Sequence, residues 1–216
     1  MPRQRLLHCT LLVLLAALAL AGCGTVGDDR PEVDATLVLD GRPQAYDAPI
    51  AAAVQRGFDS AEGVHLRLRA PRAPGAGLRA LLDDRADFAV ISADQLSGQP
   101  ELVGIMALTN APTGARAPRL ILTTTRERLD EDPSIAKAAV AGILRGYDQT
   151  LTDPASSLSD LQEQFPGLNR RRLEAALPAA GQAMYPPSRL QGALPLNDPR
   201  YDTSVVREAA GTTHDS

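Results

Sequence analysis

LVGIMALTNAPTGARAPRLIL, residues 102–122, is the stretch on which the architecture turns. Leu102 to Leu108 is apolar throughout apart from Gly104, and reads as a strand. Leu120 to Leu122 reads as another. Only Thr109 to Pro118, T-N-A-P-T-G-A-R-A-P, lies between them. That loop is long enough for a turn and far too short to fold as a domain of its own. The chain therefore passes from one strand almost directly into the next.

Upstream of this pair, strands alternate with helices. Ala35 to Leu39 is a short β-type run closed by Asp40 and Gly41. Ala48 to Gln55 reads as a helix, with Gly57 suited to its C-terminal cap. Val64, Leu66 and Leu68 alternate with His65 and Arg67, the pattern of a half-buried strand. A Pro/Gly loop, Pro71 to Gly77, leads to a short helix from Leu78 to Leu82, and Asp87 to Ile91 is a further strand. Downstream the chain is helical. Asp132-Pro133 is an N-cap followed by proline at the first helical position. Ile135, Ala139, Ile143, Tyr147 and Leu151 then mark one apolar face to about Thr152. Asp153-Pro154 repeats the signal for a helix carrying Leu158, Leu161 and Phe165. Asn169 caps a third helix, with Leu173, Ala176 and Leu177, expected to stop near Pro178. The expected class is α/β: an open, largely parallel sheet flanked by helices, with a helical C-terminal half.

The composition is that of a globular protein: 216 residues, 44% hydrophobic and 22% charged. Aromatics are only 3%, with no Trp, which argues against a stacking groove for single-stranded nucleic acid. The net charge of −4 has the wrong sign for a polyanion binder. Three His and two Cys are too few for a Cys/His zinc cluster.

The first residues read as an export signal. Arg3 and Arg5 precede an apolar run from Leu11 to Ala21, too short to span a bilayer. Leu20-Ala21-Gly22-Cys23 looks like a bacterial lipobox, in which cleavage precedes the cysteine and its thiol is acylated. Residues 1–22 are thus the expected lipoprotein signal peptide, Cys23 the lipidation site, and 23–34 a flexible tether. Removing residues 1–22 takes Arg3 and Arg5 and leaves a charge of −6, from 20 basic and 26 acidic residues. It also removes Cys9, so no thiol remains for a disulfide or a nucleophile. The diacyl group supplies the paired chains that give stable attachment to the extracytoplasmic face of the cell membrane. Residues 35–185 are the expected single lobe, and 186–216 a Pro-rich, polar, partly disordered tail.

The order of these pieces resembles the solute-binding proteins of ABC importers. The group most similar is the one for thiamine-pyrimidine precursors, sulfonates and nitrate, which has the type II periplasmic-binding-protein fold. The likeness is carried by Leu39-Asp40-Gly41-Arg42-Pro43-Gln44-Ala45-Tyr46-Asp47, Gly57-Phe58, Glu62-Gly63, Pro74-Gly75 and Ala86-Asp87-Phe88-Ala89-Val90-Ile91-Ser92. It continues through Pro118-Arg119-Leu120, Arg145-Gly146-Tyr147, Asp153-Pro154 and Phe165-Pro166-Gly167-Leu168. It covers about residues 35–185. The resemblance implies two α/β lobes around a cleft, with a long middle segment building the second. Here residues 109–118 stand where that segment would be, so the chain resembles lobe one without lobe two. The family's Trp in the first loop is also missing, since Gly41 follows Asp40.

In open α/β sheets ligands sit at the carboxyl ends of the strands. That rule picks the loop after Leu39, with Asp40, Gln44, Tyr46 and Asp47, and the segment after Ile91, with Ser92 and Asp94. These six are the candidate ligand-binding residues. Tyr46 can cover a flat ring, and the carboxylates can accept from ring N–H or amine groups, which favours a neutral or cationic ligand. Each has a plainer role open to it: Asp40, Gln44 and Asp47 as turn and cap residues, Tyr46 as packing, Ser92 and Asp94 as a helix cap. Arg170-Arg171-Arg172 reads as a solvated helix face, with contact to a permease or anionic headgroups as the alternative, His65 as facing solvent or a covering helix, and Tyr147 as core.

The expected function is a lipid-anchored, extracytoplasmic solute-binding component of an ABC importer, or a remnant of one. Its partners would be a small pyrimidine-like or amine solute, an ABC permease and, through the anchor, the membrane, with no nucleic acid. The alternative is a scaffolding lipoprotein that acts through the exposed cleft face, as a homodimer that rebuilds a two-walled cleft. No nucleophile elbow, zinc-ligand spacing or free thiol points to an enzyme. No catalytic residue, metal ligand or cofactor is assigned.

Overall fold

The computed structural model describes residues 32–73, 75–110, 118–184 and 198–212. The export signal, Cys23 and nearly all of the expected tether lie outside them. Five strands form one sheet: β1 (Val33–Val38), β2 (Val64–Arg69), β3 (Phe88–Ser92), β4 (Leu102–Asn110) and β5 (Pro118–Thr125). Their order is β2-β1-β3-β5-β4. β1 pairs in parallel with both β2 and β3, while β5 is antiparallel to both of its neighbours, β3 and β4. Every strand except β5 therefore runs in one direction. The short loop after β4 explains the exception, because Asn110 pairs with Pro118 and the chain turns straight back as a hairpin. β5 enters between β3 and β4 and so joins β4 to the rest of the sheet.

Side-chain alternation then sorts two cores. Leu37, Leu39, Phe88, Val90, Leu120 and Leu122 face one side, against α1 (Ala48–Gln55) and α6 (Pro133–Thr152). Val38, Ala89, Ile91 and Ile121 face the other, against α3 (Ala76–Leu82) and α4 (Ala93–Leu96). Two short helices, α2 (Phe58–Ala61) and α5 (Arg126–Glu131), fill connections. An outer layer, α7 (Pro154–Gln164) and α8 (Arg170–Ala183), packs Leu158, Leu161 and Leu173 onto Ala48 and Ala51 of α1. The described residues belong to one compact unit by their contacts.

Three expectations need correction. The stripe on α6 ends before Leu151, which is 47% exposed. Steps of four residues drift by about 40° each around a helix, so the last member leaves the buried face. α8 does not stop at Pro178 but continues to Ala183. Leu173, Leu177 and Ala180 hold both halves of α8 against the same neighbours, while the proline sits on the exposed side.

Within the expected 186–216 tail, residues 198–212 join the domain, while 186–197 and 213–216 lie outside the described residues. Gly104 of β4 donates its N–H to the Arg200 carbonyl and accepts from Asp202 N–H, both at 2.9 Å. This pairs residues 200–202 with the outer edge of the sheet. α9 (Thr203–Thr212) follows and buries Val205, Val206 and Ala209 in the main core. Gly104 permits this approach, since a Cβ there would lie 2.8 Å from the Tyr201 ring. An edge strand offers unpaired backbone groups to a nearby segment, and residues 200–202 take them up here ahead of α9.

Candidate functional site at the carboxyl edge of the sheet

The carboxyl ends of β1 to β4 share one edge with the start of β5. The first loop leaves β1 there and closes through a 3-10 turn, Ala45–Asp47. Asp47 is 4% exposed. Its Oδ2 accepts from Gln44 N–H at 2.8 Å, and its own N–H donates to the Gln44 carbonyl at 3.0 Å. Pro49 follows in the first turn of α1, where a missing N–H is harmless. These bonds give the turn one shape and bury a carboxylate beneath it. Burial pushes the Asp47 carboxyl up to about 7, the Gln44 N–H opposes that, and the charge of Asp40 adds to it.

Asp40 and Tyr46 lie above it, both half-buried. Burial raises the Asp40 carboxyl and the Arg119 guanidinium lowers it. The Tyr46 phenol is pushed up to about 12 by burial, then by Asp47 and Asp40, against Arg119. Asp40, Tyr46, Asp47 and Arg119 thus form one electrostatic group.

Arg119 was not among the sequence-derived candidates. Because β5 runs antiparallel, its first residues lie at the edge where the other strands end. Leu120 stands opposite Ser92 on one side and Thr109 on the other. The Thr109 hydroxyl is buried, with no hydrogen-bond partner among the described residues. Arg119 could have been found only by knowing that β5 enters beside β3.

Ser92 ends β3 on the same edge. Its hydroxyl accepts from Gln95 N–H at 3.2 Å, and Gln95 Oε1 accepts from Ser92 N–H at 2.9 Å. That reciprocal pair caps α4, the plainer of its two roles. The start of α3 lies across the neighbouring strand ends: a Cβ on Gly77 would sit 3.3 Å from the Val90 carbonyl and 3.6 Å from that of Leu39.

The six candidates therefore divide. Asp40, Tyr46 and Asp47 come together, with Asp47 buried beneath the other two. Ser92 lies at a nearby strand end, occupied as a cap. Asp94 is exposed in the first turn of α4. Gln44 is exposed too, and lines a separate groove with the start of α8. Outside the edge, the Tyr147 hydroxyl is buried and donates to the Leu108 carbonyl at 2.7 Å. His65 is exposed, 3.8 Å from Glu32. Arg170 joins α7 to α8 through Ser159, Gln162 and the Ala155 carbonyl, and holds Glu174 at 2.7 Å. Among the described residues no cluster of His, Cys, Asp or Glu has the makings of a metal site. No described helix is long and apolar enough to cross a membrane.

No protein-family model matches the chain, and no curated protein is recognisably similar to it in sequence. Solved structures do match its shape. The periplasmic nitrate-binding protein NrtA from Synechocystis PCC 6803 superposes with a TM-score of 0.62 at 12% identity, covering 87% of this chain and 91% of that one. The ligand-binding component of an ABC-type import system from Staphylococcus aureus, solved with zinc bound, gives 0.62 at 12% identity, over 82% and 99%. A Candida albicans gene product described as having the generic periplasmic binding protein fold gives 0.55 at 9% identity, over 86% and 89%. The fold is that of the periplasmic binding proteins: a five-stranded α/β sheet flanked by helices.

Proposed function

We propose that this chain is the extracytoplasmic solute-binding component of an ABC importer, held to the cell membrane by lipid on Cys23. It belongs, in this reading, with the binders of thiamine-pyrimidine precursors, and delivers its solute to a permease. The solute is a small neutral or cationic compound, pyrimidine-like or an amine, received at the carboxyl edge of the sheet. One observation carries this reading: Asp40 and Tyr46 sit half-buried together at the strand ends, over a turn fixed by Asp47. Tyr46 offers a ring face and Asp40 an acceptor for an N–H or ammonium group. Asp47 is too deep to touch the solute and positions the loop instead.

A pocket encloses 70–90% or more of a drug-sized ligand, and one lobe supplies only part of such a wall. Binding by the monomer is accordingly weak. Calorimetry of the full chain against 4-aminopyrimidine and simple amines tests this. Millimolar binding is expected, weakened about tenfold or more by Asp40→Asn or Tyr46→Ala. Binding unchanged in both variants removes the site, and submicromolar binding by a monomer removes the single-walled reading.

A further inference from the structure

A groove of about 260 Å³ separates the first loop from the beginning of α8. Its floor is apolar, with Leu168 and Leu173, and its rim carries Arg42, Gln44 and Arg172. No carboxylate lines it. This is unusual in a chain whose acids outnumber its bases, 26 to 22. The contrast with Arg170 is direct. That guanidinium is engaged by Glu174, Ser159, Gln162 and the Ala155 carbonyl. The guanidiniums of Arg42 and Arg172 have no ion pair or hydrogen bond among the described residues. Both are exposed and free to turn toward an occupant.

We propose that this groove is a second ligand site, which takes a small organic acid: a carboxylate head between Arg42 and Arg172, and an apolar body on Leu168 and Leu173. Guanidinium is the side chain best shaped to hold a carboxylate through paired N–H donors. The apolar floor selects an acid with a hydrocarbon body over a bare inorganic anion. Gln44, exposed on the same rim, has an amide that can donate to the second carboxylate oxygen. Neither Asp40 nor Tyr46 lines the groove, although Tyr46 packs in the same apolar cluster as Leu168 and Leu173.

The test is a titration of the full chain with benzoate and with benzamide, its neutral counterpart of the same shape. Backbone amide resonances of residues 167–176 provide the readout. Benzoate should shift these resonances and saturate at millimolar concentration, with benzamide about tenfold weaker. Arg42→Gln and Arg172→Gln should each weaken benzoate severalfold, while Asp40→Asn leaves it unchanged. Equal responses to the two probes, no response to benzoate, or indifference to both arginine substitutions would overturn the proposal. Inorganic phosphate as strong as benzoate would also overturn it, since the apolar floor would then contribute nothing. Loss of amine binding in Asp40→Asn with benzoate binding intact separates the two sites.

Discussion

Asp47 shows how much one buried carboxylate can set. Burial pushes its carboxyl up to about 7 in the folded chain, from an ordinary value of 3.8. The folded state thus holds this proton more tightly than the unfolded state. The associated stability is complete below 3.8 and is lost as pH rises toward about 7. At full burial it is on the order of 4 kcal/mol. Burial also raises Asp40 and Asp59, so their contributions run in the same direction. Asp47→Asn keeps a carbonyl oxygen for Gln44 N–H but carries no charge. It should stabilise the protein above pH 7 and flatten the fall between about 4 and 7. Urea midpoints of both proteins across that range are the measurement; an unchanged slope would place the dependence elsewhere. At this scale the sequence was informative because the carboxyl-end rule needs only the strand ends. It could not separate Asp47, which holds the turn, from Asp40, which faces outward, since both are acids in one loop.

Among the elements, α6 depends on two glycines one turn apart. A Cβ on Gly146 would lie 2.0 Å from the Pro49 carbonyl oxygen and 3.0 Å from Ala53 N, both backbone atoms of α1. A Cβ on Gly142 would lie 2.7 Å from Asp59 Cα in α2. The two helices meet α6 almost backbone to backbone, and a methyl group can enter only by pushing them apart. Gly146→Ala should therefore cost about 3 kcal/mol or more, although alanine is the better helix former by about 1 kcal/mol. Thermal unfolding checks this, with an exposed glycine of α8, Gly181→Ala, as the neutral or stabilising control. Helix starts were legible because Asp-Pro and Asn caps have a local cause. α9 and the extent of α8 were not, because tertiary contacts decide them: a bare sheet edge in one case, a shared apolar neighbour in the other.

At the scale of the whole molecule, the carboxyl edge carries exposed Arg42, Arg69, Arg72 and Arg119 around the carboxylates of Asp40 and Asp94. At the opposite edge the acids are paired: Asp34 with Arg67, Asp83 with Arg85, and Asp84 and Asp87 with Arg128. Two copies meeting face to face at the carboxyl edge would bring these arginines together, which disfavours that dimer at low ionic strength. Light scattering on the full chain in detergent, after subtraction of the micelle, should give the monomer mass. A stable dimer would favour the scaffolding reading over solute delivery. The direct passage from β4 to β5 was legible from residues 102–122 alone, whereas their antiparallel pairing, with β5 set between β3 and β4, was not.

Asn110 and Pro118 are ladder partners, so the backbone there parts and rejoins across a gap of about 5 Å. A foreign module whose two termini lie that close could be spliced in without disturbing either strand. The entropic cost of a longer excursion grows only with the logarithm of its length. A graft between Asn110 and Pro118 would overhang the ends of the strands.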